Sequence, residues 1–573
     1  MVVHIALAGA GVVTGEQLMG KGAADIWGHT WGYWHVTEEL SRGRLAGGWS
    51  DAVRFPVGQS WWIVDLPWGL LVSPITLALG ATHAYHAVIF GQLVLGALGA
   101  ALWLQRRGVD RWVSSIGAMA LVCSPFVRGV LASGVPEALG FLLLPWLALS
   151  LEWAVIRGGW RIAGSALLAV FVVLHGSYTV VQGALVGVAV SLWLVCVYSW
   201  RRVCLVMAVV GGTAFGTWAW VQSILQAQSH PALSRASEGG RGGLAAGVDP
   251  GGGADLAAFL YSPGFLGDGS NSLHQHVVFV GVFLVLGAAV ACWSSRWSRA
   301  LVGLGLAALI VSLGSSLQVS GQLFGEVWLP GSLLMERGAR NLYRIAGLST
   351  LAFIGAVCAG ARSPRTGARS AIHRVVRPEV VLVAALVEGL LASGLPWRTP
   401  TVDDPAGPFE VWLSTAPEVG AVIDLPFDRE GQRYTGPFPQ RTLHLQAHHG
   451  RAIASGLYLP PEIPGAQEVV RELERYVRQS WARNREFRSA WPQGFEPGED
   501  RSTYGVRGVS LERDRLTVNR EVLRGAGFAY VTLDGETLPG RLGEDLAAFL
   551  SDWLGDPVFI HEDRMAFSLS APL

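Results

Sequence analysis

Acidic and aromatic residues are concentrated in the stretch from Gly22 to Gly69. Asp25 lies near its start and is followed by Trp31 and Trp34. A carboxylate can accept the proton of a hydroxyl group as a general base, or can help to bind a metal ion. Tryptophan rings suit both a membrane interface and stacking on sugar rings. A lone aspartate is more often a solvated surface residue, but these neighbours favour a functional role for Asp25.

A second candidate carboxylate, Glu137, begins an apolar run in the segment SGVPEALG. Its plain interpretation is an acidic residue at a helix N-terminus, where the helix dipole stabilises negative charge. Its functional interpretation is a second acid that faces the same cavity as Asp25. The sequence leaves both interpretations open.

Arg337, Arg340 and Arg344 form a basic group in and directly after residues 317–341. Guanidinium groups bind phosphate with two parallel hydrogen bonds, so the group favours a phosphate ligand. The alternative is that these arginines pair with Glu326, with Glu336 or with lipid headgroups.

Two further groups of polar residues invite a simpler interpretation. His444, His448 and His449 are close in sequence, but metal binding needs convergent ligands, and an exposed turn is the favoured interpretation. Glu388 lies in an apolar run. An ionisable residue at membrane depth is a functional candidate, and the alternative is that Glu388 pairs with an arginine.

Membrane helices must position these residues. The chain has 573 residues, of which 51% are hydrophobic and 15% charged, whereas soluble domains are about 25% charged. Apolar runs of about 20 residues predict a polytopic α-helical membrane protein with about eleven spans. The predicted spans lie near residues 2–18, 84–104, 113–130, 138–156, 162–178, 180–199, 203–222, 277–294, 300–316, 342–360 and 379–396. A shorter apolar segment, 66–82, is predicted to be a re-entrant or interfacial helix.

Basic connectors orient the predicted spans. Five short basic connectors fall on one side of the predicted membrane topology, and the positive-inside rule makes that side cytoplasmic. They are residues 105–112, 157–161, 200–202, 294–299 and 361–377. Residues 1–396 are therefore predicted to form a membrane domain with outer loops 19–83, 223–276 and 317–341. Residues 397–573 are predicted to form a soluble extracytoplasmic α/β domain. The formal net charge of zero gives no support to a nucleic-acid partner.

Short motifs run through nearly the whole chain. The first outer loop contains DIWGHTW (25–31), ELSRG (39–43) and FPVG (55–58). Later motifs are SPFVRG (124–129), SLG (312–314), LPG (329–331), RNLYR (340–344), VIDLP (422–426) and GFAYV (527–531). Together these motifs resemble those of the bacterial GT-C superfamily of integral-membrane glycosyltransferases, in which each motif is short and degenerate.

The resemblance implies an enzyme of the bacterial inner membrane that transfers a sugar from a polyprenyl-phosphate donor. The acceptor would be an extracytoplasmic glycan, lipid or protein of the cell envelope. Asp25 would be the main catalytic residue, with Glu137 as a second candidate. The chain has one acid where relatives often have an adjacent pair, so a divalent metal, Mg²⁺ or Mn²⁺, is an open question. The substrate-binding candidates are His29, Trp31, Trp34, Arg54, Arg337, Arg340 and Arg344.

Two other functions are compatible with such a fold. The first is a non-catalytic membrane scaffold or accessory protein. The second is a transporter of lipid-linked sugars, which should carry internal repeats and ionisable residues within several spans. The chain has no repeat of fixed period and few such ionisable residues, so the transporter ranks last.

Overall fold

A computed structural model gives the structure of the chain. It describes residues 9–20, 24–44, 49–50, 52–53, 55, 58–60, 65–228, 280–313, 316–319, 322–326, 342–360, 377–391, 401–425, 441–454, 520–535 and 542–570. Its α-helices are α1 (Gly11–Thr14), α2 (Ala24–Ser41), α3 (Leu66–Leu79), α4 (Ala81–Arg106), α5 (Arg111–Val122), α6 (Pro125–Ser133), α7 (Leu144–Arg157), α8 (Trp160–His175), α9 (Ser177–Val197), α10 (Trp200–Gln228), α11 (Val282–Ala291), α12 (Arg296–Ser312), α13 (Gly347–Gly360), α14 (Pro378–Leu391), α15 (Pro408–Thr415), α16 (Arg441–His449) and α17 (Leu542–Leu554). Two 3₁₀ helices cover Pro136–Leu143 and Leu342–Ala346. The strands are β1 (Gln17–Met19), β2 (Trp49–Ser50), β3 (Gln59–Ser60), β4 (Ser316–Val319), β5 (Gln322–Glu326), β6 (Thr401–Asp403), β7 (Ala421–Leu425), β8 (Phe528–Asp534), β9 (Phe559–His561) and β10 (Arg564–Ser568).

The chain divides into two compact units. Unit 1 contains residues 1–21, 64–223 and 241–403, and unit 2 contains residues 22–63, 224–240 and 404–573. This division differs from the predicted one, because the boundary lies after residue 403 rather than 396, and residues 22–63 and 224–240 belong to unit 2. The first-loop residues 22–63 group with the C-terminal residues rather than with the membrane helices.

Unit 1 is a helical membrane unit. Within the described residues, five helical stretches are long and apolar enough to cross a bilayer: Ala81–Arg106, Arg111–Ser133, Pro136–Arg157, Tyr178–Val197 and Trp200–Val221. These stretches confirm the prediction of a mostly helical membrane protein, and the number of spans stays a prediction. Apolar residues such as Leu98, Leu192 and Phe215 are exposed on these helices. Exposed apolar side chains of this kind suit contact with lipid, because lipid is as apolar as the protein interior.

The predicted span at 2–18 is wrong for its last residues. The short helix α1 ends at Thr14, and β1 then pairs antiparallel with β6, with Gln17 opposite Asp403. Gly15 explains the break, since its φ of +80° is a left-handed conformation that ends a helix. Residues 17–18 are therefore strand and not helix.

Breaks in the helices of unit 1 place several polar residues at helix ends. Ser124 interrupts the predicted span 113–130, because its hydroxyl accepts a hydrogen bond from the amide of Val127 and so caps α6. Gly176 separates α8 from α9 with an extended backbone. Asp65 precedes α3, the helix predicted at 66–82, with a φ of +63°. His175 and Asp65 therefore both lie at helix ends.

Unit 2 is built around a four-stranded sheet in the order β7-β8-β10-β9. β7 and β8 are parallel, while β10 runs antiparallel to both β8 and β9. α17 contributes Leu550 and Trp553 to the core beneath the sheet, together with Ile423 and Phe567. The sequence pattern predicts strands at 418–427 and 527–533 and a helix over 542–555, and the structure contains them as β7, β8 and α17. Helical spacing also predicts a helix over 465–487, which lies outside the described residues.

Helix α2 is a second layer of unit 2 and packs against α16. The hydroxyl of Thr30 lies 2.8 Å from Nδ1 of His444, and the indole of Trp31 donates to Oε1 of Gln446 at 2.7 Å. Residues 24–41 are thus a buried helix, although their glycines and polar residues were interpreted as a loop. Tight packing explains the difference, because buried aromatic contacts outweigh the weak helix propensity of Gly28.

Candidate active site

Two of the predicted site residues form an ion pair in unit 1. Nη1 of Arg344 donates to Oε1 of Glu137, and the two side chains are only 5% and 7% exposed. Each residue lies in a 3₁₀ helix, Glu137 in the first turn of Pro136–Leu143 and Arg344 in Leu342–Ala346. The sequence suggested Glu326, Glu336 or a headgroup as partners for this arginine. The structure instead pairs Arg344 with Glu137.

Helix α9 fixes the position of Arg344. The guanidinium carbon lies 4.8 Å from the centre of the Tyr178 ring, a geometry in which the ring face attracts a cation. The side-chain amide of Gln182 donates to the backbone carbonyl of Arg344 at 3.0 Å. Glu137 and Tyr178 therefore hold the guanidinium, while Gln182 holds the backbone of Arg344.

A second buried pair lies beside the first. Nδ1 of His175 lies 2.9 Å from Oδ1 of Asp65, and both side chains are fully buried. Nε2 of His175 lies 3.1 Å from the backbone carbonyl of Glu137. A carbonyl oxygen only accepts, so Nε2 must carry a hydrogen. A further proton must then lie between Nδ1 and Oδ1, because both of these atoms would otherwise present lone pairs.

Gly140 permits the close approach of His175. A Cβ atom at position 140 would overlap the imidazole of His175 and the hydroxyl of Thr179. Only glycine lets the 3₁₀ helix Pro136–Leu143 lie this close to α8 and α9. This contact places the backbone of Glu137 within hydrogen-bonding distance of His175.

The chemistry of this group of residues follows from its burial. Ionisable groups inside an apolar helical unit are costly, and a pair is retained there only with good partners. Arg344 supplies a planar set of N–H donors suited to an anion such as a phosphate ester. Asp65, His175 and Glu137 supply two carboxylates and an imidazole, the groups that most often move protons in enzymes.

The other predicted residues lie elsewhere or outside the description. Arg54, Arg337 and Arg340 lie outside the described residues. Asp25 is the second residue of α2, and its side chain is also outside the description. The catalytic role of Asp25 therefore stays a prediction.

His29, Trp31 and Trp34 lie on α2 in unit 2. Trp31 is fully buried and stacks on His35 with ring centres 4.6 Å apart. In this arrangement the Trp31 ring packs inside the protein. The partly exposed Trp34 is better placed for stacking on a ligand. His29 is buried, with its ring centre 6.3 Å from that of Tyr33.

Sequence reasoning missed two residues of the site. In the sequence, Asp65 is one of several acids in the stretch 22–69, and His175 lies near the boundary between the predicted spans 162–178 and 180–199. Both carried a usable signal. An aspartate directly before Leu-Pro marks a helix start, and a histidine inside an apolar run marks a buried polar contact.

Glu137 and Asp65 are buried carboxylates of unit 1 that could contribute oxygen ligands to a Mg²⁺ or Mn²⁺ ion. These ions prefer several oxygen ligands in an octahedral arrangement. Asp65 and Glu137 each already face a basic side chain, His175 and Arg344 respectively. The metal therefore stays an open prediction.

Glu388, the other acid considered, accepts hydrogen bonds from the amides of Val282 and Phe283 and so caps α11.

Comparison with known proteins identifies the fold. No protein-family model and no curated protein matches the chain. Among solved structures, a mutant form of the arabinofuranosyltransferase AftD from Mycobacteria matches with a TM-score of 0.51 and 17% identity. That match covers 97% of this chain and 40% of AftD, so the chain spans less than half of that protein's length.

Two other solved structures are similar. ArnT from Cupriavidus metallidurans has a TM-score of 0.47 and 12% identity, over 100% of this chain and 97% of ArnT. The archaeal oligosaccharyltransferase AglB from Archaeoglobus fulgidus has a TM-score of 0.45 and 11% identity, over 97% and 70%. The fold of this chain is GT-C-like, as its motifs predicted.

Proposed function

We propose that this chain is a glycosyltransferase of the bacterial inner membrane. It transfers a sugar from a polyprenyl-phosphate donor to an acceptor of the cell envelope, with about eleven spans and unit 2 on the extracytoplasmic side. The observation that carries the proposal is the buried group of Arg344, Glu137, His175 and Asp65 within a GT-C-like fold. An arginine held inside a membrane unit can bind a lipid-linked phosphate through its planar N–H donors.

The reaction assigns a role to each group. A general base, for which Asp25 is the candidate, takes the proton of the acceptor hydroxyl as that oxygen attacks the anomeric carbon. The bond from the anomeric carbon to the phosphate oxygen breaks, and the electron pair stays on the leaving polyprenyl phosphate. Arg344 stabilises the negative charge that develops on that phosphate. Glu137 and His175 orient the arginine and the 3₁₀ helix that carries Glu137.

Transfer assays in membrane vesicles test this function. The vesicles contain the full-length chain and receive labelled pentose and hexose donors linked to polyprenyl phosphate. The arabinofuranosyl donor comes first, because the similar AftD is an arabinofuranosyltransferase. Arg344→Gln should lower transfer by roughly 100-fold or more, since one stabilising donor is often worth that much. Asp25→Asn should lower transfer by roughly 100- to 10,000-fold.

A matched control distinguishes the loss of Arg344 from the loss of any positive charge. Arg111, an exposed arginine at the start of α5, is changed to glutamine and should leave transfer unchanged. A wild-type chain that is inactive with every donor would instead support the scaffold function. Equal activity of Asp25→Asn and wild type would remove Asp25 from the mechanism.

A further inference from the structure

Three side chains of unit 2 converge near the end of β6. His444 and His448 lie four residues apart on α16 and therefore project from the same face of that helix. Asp404 directly follows β6. Nε2 of His444 lies 2.9 Å from Oδ1 of Asp404, and Nε2 of His448 lies 3.8 Å from Oδ2. One ligand atom from each residue can be chosen so that all three lie within 4.8 Å of one another.

Thr30 fixes the tautomer of His444. The Thr30 hydroxyl donates its single hydrogen to the carbonyl of Trp27 at 2.9 Å. It must therefore accept from His444, whose Nδ1 lies 2.8 Å away and so carries a hydrogen. Nε2 is then left to face the carboxylate of Asp404. Either a second proton or a cation must separate this nitrogen from the carboxylate oxygen.

The three side chains have the chemistry and the spacing of a metal site. Zinc binds histidine nitrogen and carboxylate oxygen at roughly 2.0–2.2 Å, so ligand atoms of a tetrahedral site lie roughly 3.3–3.5 Å apart. The separations of 2.9 and 3.8 Å bracket that value. A histidine ligand also commonly donates its other N–H to an oriented acceptor, which is the place that Thr30 takes. His448 is 29% exposed at its side chain, so an ion can reach the site from solvent.

We infer that Asp404, His444 and His448 form a binding site for a divalent transition metal of the zinc class. The ion links Asp404, which follows β6, to α16. Through His444 and Thr30 it also stabilises the position of α2 in unit 2. The three residues supply three ligands, the fourth tetrahedral position is left to solvent, and Thr30 orients one of the histidines. The inference does not depend on the proposed transferase activity.

Metal analysis of the full-length protein tests the site. The protein is purified in detergent without a polyhistidine tag, stripped with chelator and reloaded with zinc, and its zinc content is measured by mass spectrometry. We expect about one zinc per chain. With cobalt in place of zinc, we expect visible absorption bands of a tetrahedral ion. A stripped wild type that takes up no zinc would leave a simple His444–Asp404 ion pair and overturn the inference.

Variants distinguish this site from adventitious binding. His448→Ala removes a partly exposed ligand and should abolish stoichiometric zinc, whereas His448→Cys should keep it because thiolate is a zinc ligand. Thr30→Val should weaken zinc binding roughly 10- to 100-fold, as expected when a second hydrogen-bonding layer is lost. His561→Ala, on β9 of the same unit, is the control and should bind like wild type. Unchanged zinc content in His448→Ala would refute the assignment.

Discussion

The imidazole of His175 lies 2.9 Å from the carboxylate of Asp65, and neither side chain is exposed to solvent. The backbone amide of Asp65 also donates to the carbonyl of His175 at 3.2 Å. Asp65 itself has a φ of +63°, which few residues other than glycine, asparagine and aspartate adopt. Position 65 therefore has two separate requirements: a carboxylate that faces His175, and a residue that tolerates a left-handed backbone.

Two substitutions of Asp65 distinguish the carboxylate requirement from the backbone requirement. Asp65→Asn removes the carboxylate but keeps a residue that tolerates the left-handed conformation. Asp65→Ala loses the carboxylate and adds backbone strain of about 1–2 kcal/mol. Both variants should lower sugar transfer, and Asp65→Ala should also be the less stable in a thermal unfolding assay in detergent. Equal stability of the two variants would contradict the backbone argument.

Gly140→Ala should disturb the site through packing alone. The added methyl group overlaps His175 and Thr179, and forced overlap in a packed interior costs about 1–3 kcal/mol. We expect a lower unfolding temperature and reduced transfer. Gly164→Ala on α8 is the control, because that position has open space. The control should be neutral or stabilising by up to about 1 kcal/mol, since alanine favours helix.

The Glu137–Arg344 ion pair should show strong coupling. Removal of one partner of a buried pair leaves an uncompensated charge and costs about 3–5 kcal/mol. Arg344→Met and Glu137→Gln should therefore each lower the free energy of unfolding, measured by denaturant titration in micelles. The double variant should lose less than the sum of the two single losses. Strictly additive losses would show that the two side chains do not interact energetically.

The stability of unit 2 should depend on the protonation of Asp424. This carboxyl lies on β7, where it accepts from Thr532 at 3.2 Å, and burial raises its pKa from 3.8 to about 7. The folded state binds this proton more tightly than the unfolded chain, so stability falls as pH rises from about 4 to about 7. Asp424→Asn mimics the protonated acid. It should melt close to wild type at pH 4 and above wild type at pH 8.

The control for that experiment is Asp556→Asn, which changes an exposed aspartate of the same unit. Its melting temperature should follow wild type at both pH values. If the difference in melting temperature between Asp424→Asn and wild type were the same at pH 4 and pH 8, the carboxyl would not titrate in this range.

The membrane character, the GT-C-like fold and the strands of unit 2 could be predicted because each depends on local pattern. Apolar runs such as 84–104 reveal helices without knowledge of their neighbours. The alternation in AVIDL likewise revealed β7. Arg344 could be recognised as a site candidate because three arginines lie in and directly after a predicted outer loop, and guanidinium groups bind phosphate.

The pairing of these residues could not be predicted, because it depends on contacts between distant segments. Arg344 and Glu137 are 207 positions apart, and only the packed helices bring them together. The helical state of residues 24–41 was missed for the same reason. Its stability comes from α16, about 400 positions later in the chain, rather than from local helix propensity.

The pairing of β1 with β6 has a consequence for the synthesis of the protein. Gln17 and Asp403 are hydrogen-bonded at 2.9 Å although they are 386 positions apart. At a translation rate of about 5–20 residues per second, β1 leaves the ribosome roughly 20–80 s before its partner strand exists. During that interval the helices of unit 1 enter the membrane in order, and β1 has no β6 with which to pair. The pairing of β1 with β6 is therefore a late step in the assembly of unit 1, in whatever order its helices pack.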